Sequence, residues 1–567
     1  MTTDFDATAA AELFFAGATA AGLRRVLICP GSRSSPMAIG ASRVAQLPRS
    51  VHLDERSAGF AALGEAKASG EPVAIVCTSG TATTNLAPAI AEAAMSNVPI
   101  IALTADRPPE HQAWGVGQSL DQRGLFGRHV RHEITMPVGP DGGMDFTERA
   151  GWRAVATSIE RFGPVHVNWP FRLPLEPADG ERRFASALPR VETPVLTRRH
   201  SDVDRLRSAL GPSSSPVIIA GPDTVRPGDT EGARAIYQSA ETLGIPILAD
   251  TLSGLRGHGP VVGQPALVTT GSPELHADLI IHLGHTPTAK SIRLWWESLS
   301  HARHVLIDPR CDWQDPSHLF DDRLTSEPAW LLAGVAGEIE STDARGQNLT
   351  RWSQSGETAN TIVQEVLADC ANFTEAHIGA TVGRWASAAV DRSVVASSSM
   401  PVRDIDTFSP IDQHAEVLAN RGVNGIDGVI ASAIGVWRAR EHRVVVLIGD
   451  VAALHDVGSI LDAARQGCPL TIVVPNNDGG GIFSNLPMRG AIDESLFSEL
   501  FHTPHGTDLS FLGHAKGISY LAVETEAELT EALDDPDATG VIVVEVAVST
   551  SDRLALRDQL HERLAQP

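Results

Sequence analysis

The chain is poor in cysteine, short of basic side chains and without any long uninterrupted apolar run. Its five thiols, Cys29, Cys77, Cys311, Cys370 and Cys468, are odd in number, far apart and outside any zinc spacing. That excludes a disulfide framework and a cysteine-based zinc site, and it fits a reducing, cytoplasmic setting in which the thiols are buried. No stretch approaches the roughly 18 to 20 consecutive apolar residues that span a bilayer. The segment Met1 to Ala10 has two acids and no basic residue before its apolar stretch, so it lacks the charged start of a secretory signal. With 45 basic against 69 acidic side chains, a net charge of -24, general binding to nucleic acid or to an anionic membrane surface is disfavoured. An anionic substrate would have to be met by local arginines.

What the chain has is length and a regular alternation of short apolar runs with amphipathic stretches. Its 567 residues, 43% hydrophobic and 20% charged, suit two to four globular domains. A helix is predicted over Ala7 to Ala21, with strands at Val26 to Cys29, Val73 to Cys77, Ile100 to Thr104 and Val165 to Pro170. A second set follows at Val217 to Ala220, Ile245 to Ala249, Leu279 to Leu283 and Val305 to Ile307. A third lies at Val444 to Ile448, Leu470 to Val474 and Val541 to Val546. Strands alternating with helices predict parallel sheets, so the expected fold is α/β with three open parallel-sheet domains, at 1–185, 195–345 and 360–567. Leu173 to Arg199 reads as a linker, and the polar stretch Ser341 to Glu357 as a lead into later helical sequence.

Two polar clusters end apolar strands in the last third. One strand runs into Gly449-Asp450 and the next into Pro475-Asn476-Asn477-Asp478-Gly479, with Asn477 27 residues after Asp450. The carboxyl ends of parallel strands are where open α/β sheets bind ligands. Asp450, the side-chain oxygen of Asn477 and the carbonyl of Gly479 are hard oxygen donors suited to Mg²⁺, with positions left for diphosphate oxygens and water. Glycines 479 to 481, Gly480 among them, allow the backbone close to phosphates. Either fragment alone is an ordinary turn after a strand; the pair at this spacing carries the argument. In the first third, Glu55 follows a short β-run and precedes a helix rich in small residues. Thr78-Ser79-Gly80 follows the next strand and opens another helix.

The Gly-Asp then Asn-Asn arrangement resembles the diphosphate-binding motif of thiamin-diphosphate enzymes, although Val451 stands where the usual motif has glycine. Pro30-Gly31-Ser32-Arg33-Ser34, Asp54-Glu55-Arg56, Thr78 to Ala82, Leu103 to Glu110, Asn420-Arg421-Gly422, Gly425 to Gly428 and Gly481 to Ser484 resemble, in order, blocks of the MenD family. These are the menaquinone-pathway carboligases. The resemblance implies thiamin diphosphate with Mg²⁺ or Mn²⁺, and the decarboxylating 1,4-addition of 2-oxoglutarate to isochorismate.

It also implies a pyrimidine-binding first domain, a diphosphate- and metal-binding third domain, and a homodimer or homotetramer with sites between subunits. Glu55 would be the activating acid, with Thr78, Ser79, Gly80, Ile426, Asp450, Leu454, Asn477 and Gly480 against the cofactor. Arg403 and Arg421 would hold the donor. Ser32, Arg33, Arg107, Gln118, Lys290 and Ser399 would form the acceptor side, with His455 near an intermediate and Ile482, Phe483 and Leu486 walling the cavity. Two positions depart from the family pattern: Gly117 precedes Gln118 where an Asn is expected, and Ser291 follows Lys290 where an Arg is expected, with Arg293 close enough in sequence to substitute. The alternatives are another thiamin-diphosphate 2-oxoacid decarboxylase, an acetohydroxyacid-type synthase, or a non-catalytic protein that kept the fold.

Overall fold

Short runs of Val, Ile, Leu and Ala, buried along their whole length, build three separate sheets in the computed structural model. Residues 6–565 are described, apart from 140–142, 178–187, 193–196, 258, 273, 311, 411–414, 424 and 536–538. The first sheet holds β1 (Arg25–Ile28), β2 (Arg49–Val51), β3 (Val73–Cys77), β4 (Ile100–Asp106), β5 (His132–Thr135) and β6 (Val165–Pro170). The central sheet holds β7 (Pro216–Ala220), β8 (Ile247–Ala249), β9 (Leu279–Leu283), β10 (Arg303–Ile307) and β11 (Asp322–Leu324). The last holds β12 (Ser393–Ala396), β13 (Glu416–Leu418), β14 (Val444–Leu447), β15 (Leu470–Asn476), β16 (Ile518–Ala522) and β17 (Val541–Ala547).

All the strand pairs are parallel. Each sheet is covered on both faces by its own apolar clusters, the arrangement that both-face burial of the strands demands. The expected α/β class with three parallel sheets is therefore what the chain forms. The predicted helix Ala7–Ala21 is present, capped by Asp6 and closed by Gly22. The strand predicted from Ile245 begins at Ile247.

The orders are β2-β1-β3-β4-β6-β5 in the first sheet, β11-β10-β9-β7-β8 in the central one and β13-β12-β14-β15-β17-β16 in the last. Counted along the chain, the first and last sheets have the same order. Each reverses direction between its first and third strands, so the crevices outside β1/β3 and β12/β14 are the places where such sheets take ligands.

Three readings are corrected or bounded. The polar stretch Ser341 to Glu357 belongs mostly to a long helix, Asp343–Asp369. It looked like connecting sequence because its buried face includes Arg345 and Asn348, which donate to the carbonyls of Ser213 and Pro216. Cys29, Cys77 and Cys468 are buried as expected, but Cys370 is only half-buried, and Cys311 lies outside the described residues. Part of the Leu173 to Arg199 linker also lies outside them, and the described remainder has no helix or strand. Among the described residues no helix is long and apolar enough to cross a membrane.

The first and last sheets are joined by two helices in near-backbone contact, Glu55–Ser69 and Val429–Arg440. A Cβ on Gly64 would lie 2.0 Å from the Ser432 carbonyl oxygen, and one on Gly435 would lie 2.0 Å from that of Ala61. Only hydrogen fits at either point. Gly64→Ala and Gly435→Ala should each destabilise the protein by about 1–3 kcal/mol, the usual cost of overpacking. Gly346→Ala, in open space within the helix Asp343–Asp369, should be neutral or stabilising by about 0.5–1 kcal/mol. Denaturant unfolding of the three variants checks the contrast.

In the central sheet His282 Nε2 and His304 Nδ1 are 3.0 Å apart, against Trp296 and Phe320. Burial holds His282 well below the usual histidine range and lowers His304, with Asp321 and Asp315 opposing the shift at His304. Both rings are thus neutral when folded and take a proton near pH 6.5 when unfolded, so their contribution is fully present above about 6.5 and is lost as pH falls below it. The drop in melting temperature between pH 8 and pH 5 should shrink in the double variant His282→Leu/His304→Leu.

Candidate functional site

Both crevices outside the switch points collect the polar side chains singled out from the sequence. After β2, Asp54 caps the helix Glu55–Ser69 by accepting from Arg56 N at 2.8 Å, which fixes Glu55 as its first residue. Glu55 is half-buried over the ends of β1 and β3. Its charge is among the influences that raise the Cys29 and Cys77 thiols, after burial itself; Cys77 is pushed up to about 12.

After β3, Ser79 Oγ donates to the Gln118 carbonyl at 2.9 Å, and Gln118 Nε2 returns a bond to the Ser79 carbonyl at 3.1 Å. Gly80, at φ +81°, donates its N–H to Gln122 Oε1, and a Cβ there would press on the Gln118 side chain at 2.9 Å. Thr78, Ser79, Gly80 and Gln118 thus form one wall. Gln122 was not singled out in the sequence, although it is fully buried and also donates to the Ala105 carbonyl and to Asn168.

Arg33 and Arg107 meet beside that wall. Arg33 is buried, donates to the Phe171 carbonyl at 2.9 Å and is held below the usual guanidinium range by burial, with the charge of Arg107 adding to the effect. Arg107 donates to the Gly117 carbonyl at 3.0 Å, and Asp106 fixes the turn by accepting from Arg107 N at 2.7 Å. Ser32, in the same loop as Arg33, is exposed.

On the last sheet, Arg403 is lowered by burial and then by the neighbouring charge of Arg421, and it donates to the Ser399 carbonyl. Ser399 holds φ +79°, an uncommon backbone for a residue other than glycine, at the start of the helix Met400–Phe408. That helix is tied to the central sheet by Asp406, whose carboxyl is pushed up to about 6 by burial while Arg256 at 3.2 Å opposes the shift. The loop carrying Arg421 is pinned to the first sheet's layer by Glu92, which accepts from Gly422 N at 2.9 Å and Val423 N at 2.6 Å. A cavity of about 500 Å³ runs from Arg421 to Arg256 and His285 of the central sheet. None of Arg33, Arg107, Arg403 and Arg421 has a carboxylate within 4 Å among the described residues.

The β14 and β15 ends form the third part. Asp450 is buried and accepts from Gly479 N at 2.8 Å, so the two strand-end loops close on each other. His505 Nε2 lies 3.2 Å from the same carboxylate. Gly479 has φ +147°, and a Cβ on it would strike the His502 carbonyl at 2.1 Å; one on Gly480 would meet Phe501 O at 2.6 Å. Asn477 Oδ1 is buried without a partner, whereas its Nδ2 faces Glu375 at 3.4 Å. An unmet buried oxygen beside a buried carboxylate and a glycine loop fits a hard divalent cation. Among the described residues no group of three or more His, Cys, Asp or Glu is placed to hold a metal ion, so a cation here would depend on amide and carbonyl oxygens and on those its ligand brings.

Other positions stand apart. Lys290 is exposed at the start of the helix Lys290–Ser298 on the central sheet, and Arg293 is paired with Glu297 of that helix at 3.6 Å. His455 is exposed and is engaged through its carbonyl, which accepts from Arg56 at 3.3 Å. Ile426, Phe483 and Leu486 are exposed and Ile482 and Leu454 half-buried, so the first three are not ordinary core.

Glu375 and Arg553 were not singled out either. The available signal was Arg553 standing in line with Leu556 and Leu560 on the otherwise apolar buried stripe of its helix.

The model described as "Thiamine pyrophosphate enzyme, N-terminal TPP binding domain" matches residues 8–125, and the corresponding C-terminal TPP binding domain matches 404–546. Proteins named 2-succinyl-5-enolpyruvyl-6-hydroxy-3-cyclohexene-1-carboxylate synthase are similar over nearly the whole chain. The one from Chloroflexus aurantiacus is 37% identical, over 93% of this chain and 91% of its own. That from Halobacterium salinarum is 35% identical over 96% of each, and that from Listeria monocytogenes 35% over 96% and 95%.

Proposed function

The chain belongs to the 2-succinyl-5-enolpyruvyl-6-hydroxy-3-cyclohexene-1-carboxylate synthases among the thiamine pyrophosphate enzymes, and from that premise we propose that it joins 2-oxoglutarate to isochorismate. It is a transferase of menaquinone biosynthesis that releases CO2 and adds the succinyl semialdehyde unit across the conjugated C=C of isochorismate. The observation that best supports this substrate pair is the two sets of guanidinium groups, Arg33 with Arg107 and Arg403 with Arg421, which lack carboxylate partners of their own. Each substrate carries two carboxylates, and paired guanidinium forks bind carboxylates with direction as well as charge.

Thiamin diphosphate, when bound, supplies the thiazolium carbon that holds the electron pair left by CO2. Glu55 would hold a proton at the aminopyrimidine ring nitrogen, and Thr78, Ser79, Gly80, Ile426 and Leu454 would lie against the cofactor. Asp450, Asn477 and the Gly479 carbonyl hold Mg²⁺ or Mn²⁺, and Gly480 leaves room for the diphosphate. Arg403 and Arg421 take the far carboxylate of 2-oxoglutarate. Ser32, Arg33, Arg107, Gln118, Lys290 and Ser399 would take isochorismate, and His455 would supply a hydrogen bond near the cofactor. Ile482, Phe483 and Leu486 exclude water from the reacting carbon.

Residues 1–185, 195–345 and 360–567 are read as the pyrimidine-binding, central and diphosphate-binding domains. Exposed Leu53, Val423 and Ile426 beside these groups favour cover by a second copy, in a homodimer or homotetramer with sites between subunits. Free thiols favour a cytoplasmic setting.

The test follows CO2 and coupled product by mass with thiamin diphosphate, Mg²⁺, 2-oxoglutarate and isochorismate. Coupling should require all four; CO2 without coupled product would point to a simple decarboxylase. Glu55→Gln should lower kcat by about 10²–10⁴-fold. Arg403→Ala and Arg421→Ala should keep cofactor binding and raise KM for 2-oxoglutarate by about tenfold or more, the loss of one charge-assisted contact. Unchanged kinetics in both would remove their assigned role.

A further inference from the structure

An asparagine amide can ligate a cation only through oxygen, and the rotamer alone does not settle which end faces the metal position. At Asn477 the contacts select one end. The NH2 end points to Glu375 Oε1 at 3.4 Å, and Oδ1 faces away, buried and without a partner.

Glu375 is itself fixed. It is the first residue of the helix Glu375–Ser387, whose start is locked by reciprocal bonds between Thr374 and His377, and it is almost fully buried. Burial pushes the Glu375 carboxyl up, and the charge of Arg553, also buried, on the helix Thr550–Leu564 and with its Nε 3.6 Å from Glu375 Oε1, opposes that shift. The same guanidinium donates through Nη2 to the Gly481 carbonyl at 2.8 Å. Gly481 closes the ring of contacts, since a Cβ there would lie 2.4 Å from Asn477 Nδ2. Asn477, Glu375, Arg553 and Gly481 therefore form one clasp drawn from three distant parts of the chain.

We infer that Glu375 and Arg553 are positioning residues that set the amide of Asn477 with its oxygen toward the divalent cation. Neither residue is assigned a contact with cofactor or substrate. The inference rests on the reading that Asn477 holds the metal.

The test titrates Mg²⁺ into the full-length apoprotein at fixed thiamin diphosphate, following the quenching of tryptophan fluorescence, and records the melting temperature of each variant. Glu375→Ala and Arg553→Met should raise the half-saturating Mg²⁺ concentration by about ten- to a hundredfold, the usual effect of losing a partner that orients a metal ligand. Glu375→Gln keeps an acceptor oxygen and loses the charge, and should stay close to the parent protein. In an Asn477→Asp background there is no amide to orient, so Glu375→Ala should add no further loss.

A lower melting temperature with unchanged half-saturation would show a merely structural role and overturn the inference. So would a Gln variant as impaired as the Ala variant, which would assign the effect to charge. If the parent protein shows no Mg²⁺-dependent binding of thiamin diphosphate, the metal reading fails and this inference falls with it.

Discussion

The backbone-to-backbone meeting of the helices Glu55–Ser69 and Val429–Arg440 is the constraint on which the site depends. Gly64 and Gly435 remove the two side chains that would hold these helices apart, and small residues such as Ala61, Ala62 and Ala431 fill the seam. One of the helices starts at Glu55 and the other just after the Gly425 to Gly428 loop that carries Ile426. Their separation therefore fixes how Glu55 stands relative to the last sheet within a chain. Polar contacts follow the same boundary: Ser57 with Ser459 at 2.8 Å, His52 with Asp462 at 2.8 Å, and Glu92 with the loop that carries Arg421.

The common strand order of the outer sheets makes their division of labour intelligible. In each, the first strand of the sheet ends in a loop bearing a cationic or hydroxyl group, Ser32 and Arg33 after β1 and Ser399 and Arg403 after β12. In each, the third strand ends in a glycine-bearing polar segment, Thr78 to Gly80 after β3 and Gly449-Asp450 after β14. The same geometric position carries hydroxyl groups and a glycine in one sheet and a glycine with a buried carboxylate in the other. The central sheet has a comparable switch between β7 and β9, where Gly221 N–H donates to the Leu283 carbonyl and His285 N–H to the Pro222 carbonyl, and the cavity that reaches Arg421 opens beside these loops.

Much of this was legible in the sequence because it depends on local order. Apolar runs gave the strands, and Gly449-Asp450 and Asn476-Asn477 sit where a strand must end, so their placement follows from the strand itself. What was not legible is contact at long range. Glu375 lies about a hundred residues from Asn477, and His505 reaches Asp450 from a separate loop; no spacing rule links such pairs. The helix Asp343–Asp369 was obscured for another reason. It buries Arg345 and Asn348 against backbone carbonyls, so its inward face does not read as apolar. The exposure of Phe483 and Leu486 likewise depends on neighbours that sequence periodicity does not describe.

The clasp around Asn477 also sets an order of events during synthesis. The first sheet, with Glu55, Arg33 and Arg107, can be complete once β6 has left the ribosome, long before the rest of the chain exists. The loop Asn477 to Gly481 cannot be, because its contacts with Arg553 require the helix Thr550–Leu564, close to the last residues of the chain to be made.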